Sequence, residues 1–166
     1  MNTFQKQFVG TWRLLSYSVT NLETGIASSV LGEDAQGHII YTPEGWVSAT
    51  LMARDRVHNS TDREARYSLK EKLLGGGIHD LTVEERNLAL PFLLAAFGYI
   101  AYCGTFDADE THVHHYVNEA FFPAYVGKTA TRAYSFEADR LSLKAEAFGG
   151  RDEVLWQRVP PKENSQ

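Results

Sequence analysis

Phe8-Val-Gly-Thr-Trp-Arg-Leu-Leu-Ser16 is the stretch from which the rest of the chain is read. The run continues to Thr20, mixes β-branched and aromatic residues, and stops at a turn, Asn21 to Gly25. That composition is a strand's. Outward from it the same signal returns. Gly37 to Tyr41 and Trp46 to Met52 flank Thr42-Pro-Glu-Gly45, whose Pro second and Gly last read as a type I turn, so the pair reads as a hairpin. Tyr99 to Phe106 and His112 to Phe121 flank Asp107-Ala-Asp-Glu110, and Ala130 to Phe136 and Leu141 to Phe148 flank Glu137-Ala-Asp-Arg140. Val154 to Val159 closes the chain before a polar tail, Pro160 to Gln166, which reads as frayed. About eight strands at this spacing predict a mainly β, antiparallel sandwich or barrel.

The middle of the chain has another character. Thr61 to Leu74 and Thr82 to Phe97 read as helices, the second opened by the capping box Thr82-Val-Glu-Glu85. Leu88, Leu90, Phe92, Leu93, Leu94 and Phe97 make that helix apolar nearly all round, which predicts that it is buried or sits on an apolar surface. Pro91 should kink or split it. Gly75-Gly-Gly77 between the two helices is a natural hinge. With no repeat and no low-complexity linker, the expectation is one domain over 1–166. Its helical insertion, 61–97, falls between strands three and four and is read as a lid as readily as a static helix.

Composition narrows the partners. The chain has 166 residues, 43% apolar and 22% charged, with a net charge of −5. A basic stripe for nucleic acid is absent from the pattern. One cysteine, Cys103, excludes an intrachain disulfide and a cysteine-based zinc site. It reads as a small buried apolar residue. No apolar run reaches the length of about 20 residues that spans a bilayer, and the N-terminus has no signal-peptide pattern. The expectation is a cytoplasmic protein with no nucleic-acid or membrane partner; a homodimer is left open. Nine Phe, eight Tyr and three Trp are the unusual entry. They can build a core or line a cavity.

Gly10-Thr-Trp12 in the first strand pairs with Trp156-Gln-Arg158 in the last. Together with Gly37 to Gly45, Gly98-Tyr-Ile-Ala-Tyr-Cys-Gly104, Phe122-Pro-Ala-Tyr-Val-Gly127 and Asp139-Arg-Leu-Ser-Leu143, in this order, the chain resembles the small, single-domain lipocalin-like family of bacteria and fungi. The resemblance covers Phe8 to Val159. It implies a calycin-type barrel with a cavity, and an Arg packed across the first-strand Trp at the closed end, a contact worth about 0.5–2 kcal/mol. It also implies a context of secondary metabolism. The chain departs from the family pattern in a longer helical insertion and in His115-Tyr-Val-Asn118, where relatives often show His-His-Val-Glu.

Strand alternation nominates the inward residues. In His112 to Ala120 the valines share a face with His115 and Glu119; in Ala130 to Phe136 the aromatics share one with Arg132. His115, Glu119 and Arg132 are the candidate catalytic residues: an imidazole that titrates near neutrality, a carboxyl that burial would raise, and a fixed charge for a carboxylate or enolate. Trp46, Phe97, Tyr99, Tyr102, Tyr116, Asn118, Tyr125 and Tyr134 are the candidate substrate-binding residues. His112 and His114 share a strand face, but a third ligand is not evident, so no metal site is assigned. No cofactor is assigned either, since neither a dinucleotide fingerprint nor a P-loop occurs.

Two functions fit. One is cofactor-free acid–base isomerisation, cyclisation or dehydration of an apolar, oxygenated, polyketide- or terpenoid-like molecule. The alternative is a non-catalytic carrier or sensor of lipocalin type.

Overall fold

The computed structural model describes residues 1–57, 61–147 and 149–161. Nine strands occur among them: β1 (Gly10–Asn21), β2 (Ala27–Ser29), β3 (Gln36–Tyr41), β4 (Trp46–Met52), β5 (Tyr99–Ala108), β6 (His112–Ala120), β7 (Thr129–Glu137), β8 (Arg140–Ala147) and β9 (Gly150–Arg158). Three α-helices accompany them: α1 (Thr3–Phe8), α2 (Arg63–Gly75) and α3 (Val83–Phe97). Neighbouring strands pair in the order β1-β3-β4-β5-β6-β7-β8-β9, and β9 returns to β1. The result is a closed antiparallel barrel of eight strands, mainly β as expected. β2 lies along the second half of β1, pairing Ser18 with Ser29.

Closure falls to β1. Its start pairs with β3, from Gly10 opposite Tyr41 to Arg13 opposite His38. Its other edge follows β9 from Trp12 opposite Arg158 to Asn21 opposite Gly150. Leu15 is left over between Leu14 and Ser16, a bulge that bends the strand so both edges can be shared. The expected turns are in place; the Gly45 N–H donates to the Thr42 carbonyl at 3.1 Å.

Contacts divide the chain into two compact units, Met1–Arg54 with Ile100–Gln166, and Asp55–Tyr99. The second holds α2 and α3. Asp62 caps α2 by accepting from the N–H groups of Glu64 and Ala65, and Thr82 and Glu85 form the expected capping box on α3. Pro91 neither splits nor ends α3, which runs unbroken over 15 residues. Arg56 donates to the Ala95 carbonyl at 3.1 Å and lies 4.9 Å from the Tyr99 ring centre.

Three expectations need correction. The helices come after β4, not between the third and fourth strands, because the loop after β1 folds back as β2 and adds a strand to the count. The chain does not begin with a strand at Phe8. Residues Thr3–Phe8 form α1, opened by a capping box in which Asn2 accepts from Gln5 and Gln5 from Asn2. The burial read into α3 does not hold either: Leu90, Leu93, Leu94 and Phe97 are exposed, and Ala95 is its buried residue. Phe148 and residues 162–166, placed above in a strand and in the frayed tail, lie outside the described residues.

The aromatic part of the core gathers around Phe8, the last residue of α1. Phe8 is fully buried, with ring centres 4.8 Å from Tyr134, 5.0 Å from Phe136 and 5.2 Å from Tyr41. Beside it the Arg158 guanidinium lies 3.9 Å from the Trp12 ring centre. It also donates to the Val9 and Gln7 carbonyls at 2.9 and 2.7 Å, and the Trp12 indole N–H donates to the Phe8 carbonyl at 2.7 Å. Gly10 is required here. Its φ of +133° disfavours any side chain, and a Cβ would stand 3.0 Å from the Arg158 guanidinium.

Candidate ligand site inside the barrel

Inward faces follow from parity along each strand, interrupted at two bulges. On β5, Ile100, Tyr102, Gly104, Phe106 and Ala108 point in, and on β7, Ala130, Arg132, Tyr134 and Phe136 do. On β4, Val47, Ala49 and Leu51 are buried, which puts Trp46 outside at 46% exposure. On β6, Val113, His115 and Val117 are buried. Beyond Val117 the pattern inverts. Cys103 pairs with Glu119 while Gly104 pairs with Val117, so Asn118 is an extra residue and Glu119 turns outward. Glu119 is exposed, which corrects its inward placement; Asn118 and Tyr116 are exposed too.

These faces enclose a cavity of about 480 Å³ within the barrel unit. Ile39, Leu51, Ile100, Val117, Leu143 and Val154 supply apolar wall, and Tyr17, Tyr102, Tyr125 and Arg132 add polar side chains to it. Lys128, Glu146 and Asp152 also line it, and Glu146 is engaged by Arg151 at 2.8 Å. The volume lies in the range of small-molecule pockets.

Among the catalytic candidates, Arg132 alone lines the cavity. It is half-buried, and among the described residues no carboxylate lies within ion-pair distance of it. Its charge lowers the pKa of the Tyr102 phenol against a larger rise caused by burial. The same guanidinium opposes the rise that burial and Asp152 impose on Tyr17.

His115 stands behind the wall rather than in it. It is fully buried, with Nε2 2.9 Å from Tyr41 Oη and Nδ1 2.8 Å from Tyr102 Oη. Burial first, then the Arg132 charge, pull its pKa down to about 3, so the ring is neutral at neutral pH. Burial pushes the Tyr41 phenol well above its ordinary value.

The binding candidates divide. Tyr102 and Tyr125 line the cavity. Tyr134 belongs to the closed end, where its ring packs on Phe8 and its hydroxyl donates to the Asp109 carbonyl at 2.8 Å. Trp46 and Tyr116 are on the outside, and Tyr99 and Phe97 belong to the helical unit. On the outer face of β6, His114 bonds Thr131 and the Asp109 carboxylate, which the N–H groups of Thr111 and His112 hold well below the usual range.

Sequence reasoning missed Tyr17, Tyr41 and Asp152. The bulge at Leu15 hid Tyr17, since alternation from Trp12 and Leu14 would send it outward. Tyr41 was findable, two residues from Ile39 on one face of β3. Trp156 was assigned to the closing strand alone. It lines the cavity as well, and its buried indole N–H has no hydrogen-bond partner among the described residues.

No helix among the described residues is long and apolar enough to cross a membrane. No curated protein matches the chain. A crystal structure of an uncharacterized protein from Bacteroides eggerthii is similar at 11% identity and a TM-score of 0.43, over 90% of this chain and 98% of that one. The family model for the lipocalin-like domain matches residues 9–74 and 88–159. With the closed eight-stranded barrel and the Trp12–Arg158 contact, that match makes the chain a member of the lipocalin-like domain family.

Proposed function

We propose that the barrel takes up a small, flat, mostly apolar molecule and orients it through one oxygen that accepts hydrogen bonds from Arg132. A lipocalin-like barrel with an interior cavity is an architecture for small-molecule binding. The observation that carries the reading is a guanidinium on an apolar wall with no carboxylate partner among the described residues. Such a charge is costly in a low-dielectric site unless an acceptor arrives with the ligand. A carboxylate, phenolate or polarised ketone on an aromatic or terpenoid skeleton fits both the charge and the walls.

Carriage or sensing is favoured over acid–base turnover. Turnover would need a group at the cavity that titrates near neutrality. His115 is neutral and behind the wall, and Glu119 is on the outer surface. A second reading rests on one observation: Tyr102 and Arg132 are adjacent donors, the arrangement that stabilises an enolate oxygen during isomerisation. The secondary-metabolism context and the cytoplasmic location belong to this proposal as well, supported by the family resemblance and the lone Cys103.

The test is titration with 2-naphthoate and its neutral isostere 2-methylnaphthalene, read by fluorescence of Trp156 on the cavity wall. The native protein should prefer the carboxylate. Arg132→Met, which keeps an apolar stem, should reduce that preference at least tenfold. An unchanged preference, or no binding of either probe, would overturn the reading.

A further inference from the structure

The Tyr41–His115–Tyr102 chain has one consistent assignment of hydrogens. Tyr41 is 1% exposed, and its hydroxyl has no hydrogen-bond partner other than His115 among the described residues. A buried O–H left without an acceptor is strongly unfavourable, so it donates to Nε2 at 2.9 Å. Nε2 is then unprotonated, and the proton of the neutral ring sits on Nδ1. That N–H donates to Tyr102 Oη at 2.8 Å. Arg132, which has only donors and whose charge acts on this phenol, offers it no acceptor. Tyr102 Oη therefore accepts from His115, has no acceptor for its own hydrogen among the described residues, and keeps that hydrogen for the cavity it lines.

We infer that Tyr41 and His115 are positioning residues that lock Tyr102 as a hydrogen-bond donor into the cavity, so the ligand presents an acceptor oxygen, and not a hydroxyl or amine hydrogen, beside Arg132. The inference deepens the proposed function and rests on it. The chain does not conduct protons. Feeding one to the ligand through His115 would take it from Tyr41, and burial makes that phenol reluctant to release it. The arrangement therefore selects and orients.

Free histidine favours the Nε2–H tautomer, so the locked ring has a distinct signature. Long-range ¹H–¹⁵N correlation on ¹⁵N-histidine protein should show one imidazole as the Nδ1–H tautomer, unchanged from pH 5 to 8. Single substitutions of the surface histidines His112 and His114 assist its assignment. An Nε2–H tautomer, or an imidazolium, at His115 overturns the inference.

The second arm uses a neutral acceptor. In the Arg132→Met background, 2-acetylnaphthalene should bind at least fivefold more tightly than 2-ethylnaphthalene, and adding Tyr102→Phe should remove the difference. A difference that survives Tyr102→Phe also overturns it. The two readings fail separately. An Nε2–H tautomer with Arg132-dependent naphthoate binding removes only the lock. An Nδ1–H tautomer with no naphthoate preference removes only the charged anchor.

Discussion

His115 carries a pH dependence whose sign is set by its burial. Its folded pKa is about 3, against about 6.5 for a free imidazole. Between those values the unfolded chain binds a proton that the folded chain refuses. Stability therefore rises with pH across that window and falls as the solution is acidified, by up to about 1.4 kcal/mol per pH unit. The groups facing the ring do not obscure this. Tyr41 and Tyr102 stay neutral, their pKa values raised by burial, and Arg132 stays charged. His114 is a second imidazole on the same strand, bonded to the Asp109 carboxylate, so the measurement belongs in a His114→Asn background. Asp109 stays ionised well below the window. Urea unfolding at pH 6.5 and 4.5 should show a loss on acidification that is roughly 2 kcal/mol smaller in His115→Gln than in its parent. Equal losses would mean that His115 titrates normally in the folded protein.

At the scale of strands, two extra residues decide what reaches the cavity. Leu15 in β1 turns Tyr17 inward, and Asn118 in β6 turns Glu119 outward. The second bulge depends on Gly104, where a Cβ would stand 1.9 Å from the Tyr116 carbonyl oxygen and 3.0 Å from the Asn118 nitrogen. Gly104→Ala must part β5 from β6 beside the Tyr102–His115 contact. The expected cost is about 2 kcal/mol or more, seen as a lower urea midpoint at an unchanged m value. A midpoint within 0.5 kcal/mol of the parent, on the order of an ordinary surface change, would mean the strands separate freely there. The same bulges explain what could be read beforehand. Strand positions other than β2 and the start of β1, the Thr42–Gly45 turn and the Thr82–Glu85 box are local signals, and they were legible. The inward faces of His115 and Arg132 were legible because no bulge intervenes between them and the apolar residues that define their faces. Glu119 was not, because a bulge is set by the partner strand, and nothing within His112 to Ala120 marks it. The Asn2–Gln5 capping box is a local signal too, and it marks a helix that ends at Phe8, where the strand-like composition begins.

Across the barrel as a whole, one end is tied by Arg158 away from the cavity, although Ile39, Leu51, Leu143, Val154 and Trp156 belong to both the core and the cavity wall. That end is filled by Phe8, Trp12, Tyr134 and Phe136; Arg132, Tyr102 and Tyr17 belong to the cavity. Arg158 joins the last strand to residues before the first, through two carbonyl bonds and the Trp12 face. It thus supports the β1–β9 seam that closes the ring. Arg158→Met keeps much of the apolar stem and loses the cation–π contact and both charged hydrogen bonds, a cost of about 2–4 kcal/mol. Arg158→Lys should recover less than half, because an ammonium cannot reproduce the planar fork that spans two carbonyls while stacking on an indole. None of Arg158, Trp12, Val9 and Gln7 lines the cavity. Affinity for 2-naphthoate, measured well below the midpoint of unfolding, should therefore stay within about twofold of the native value for a change of this size away from the site. Paired urea unfolding and naphthoate titration test the division. A variant that loses binding while keeping its stability would show that the closed end shapes the ligand site, and that the two roles are not separable along the barrel.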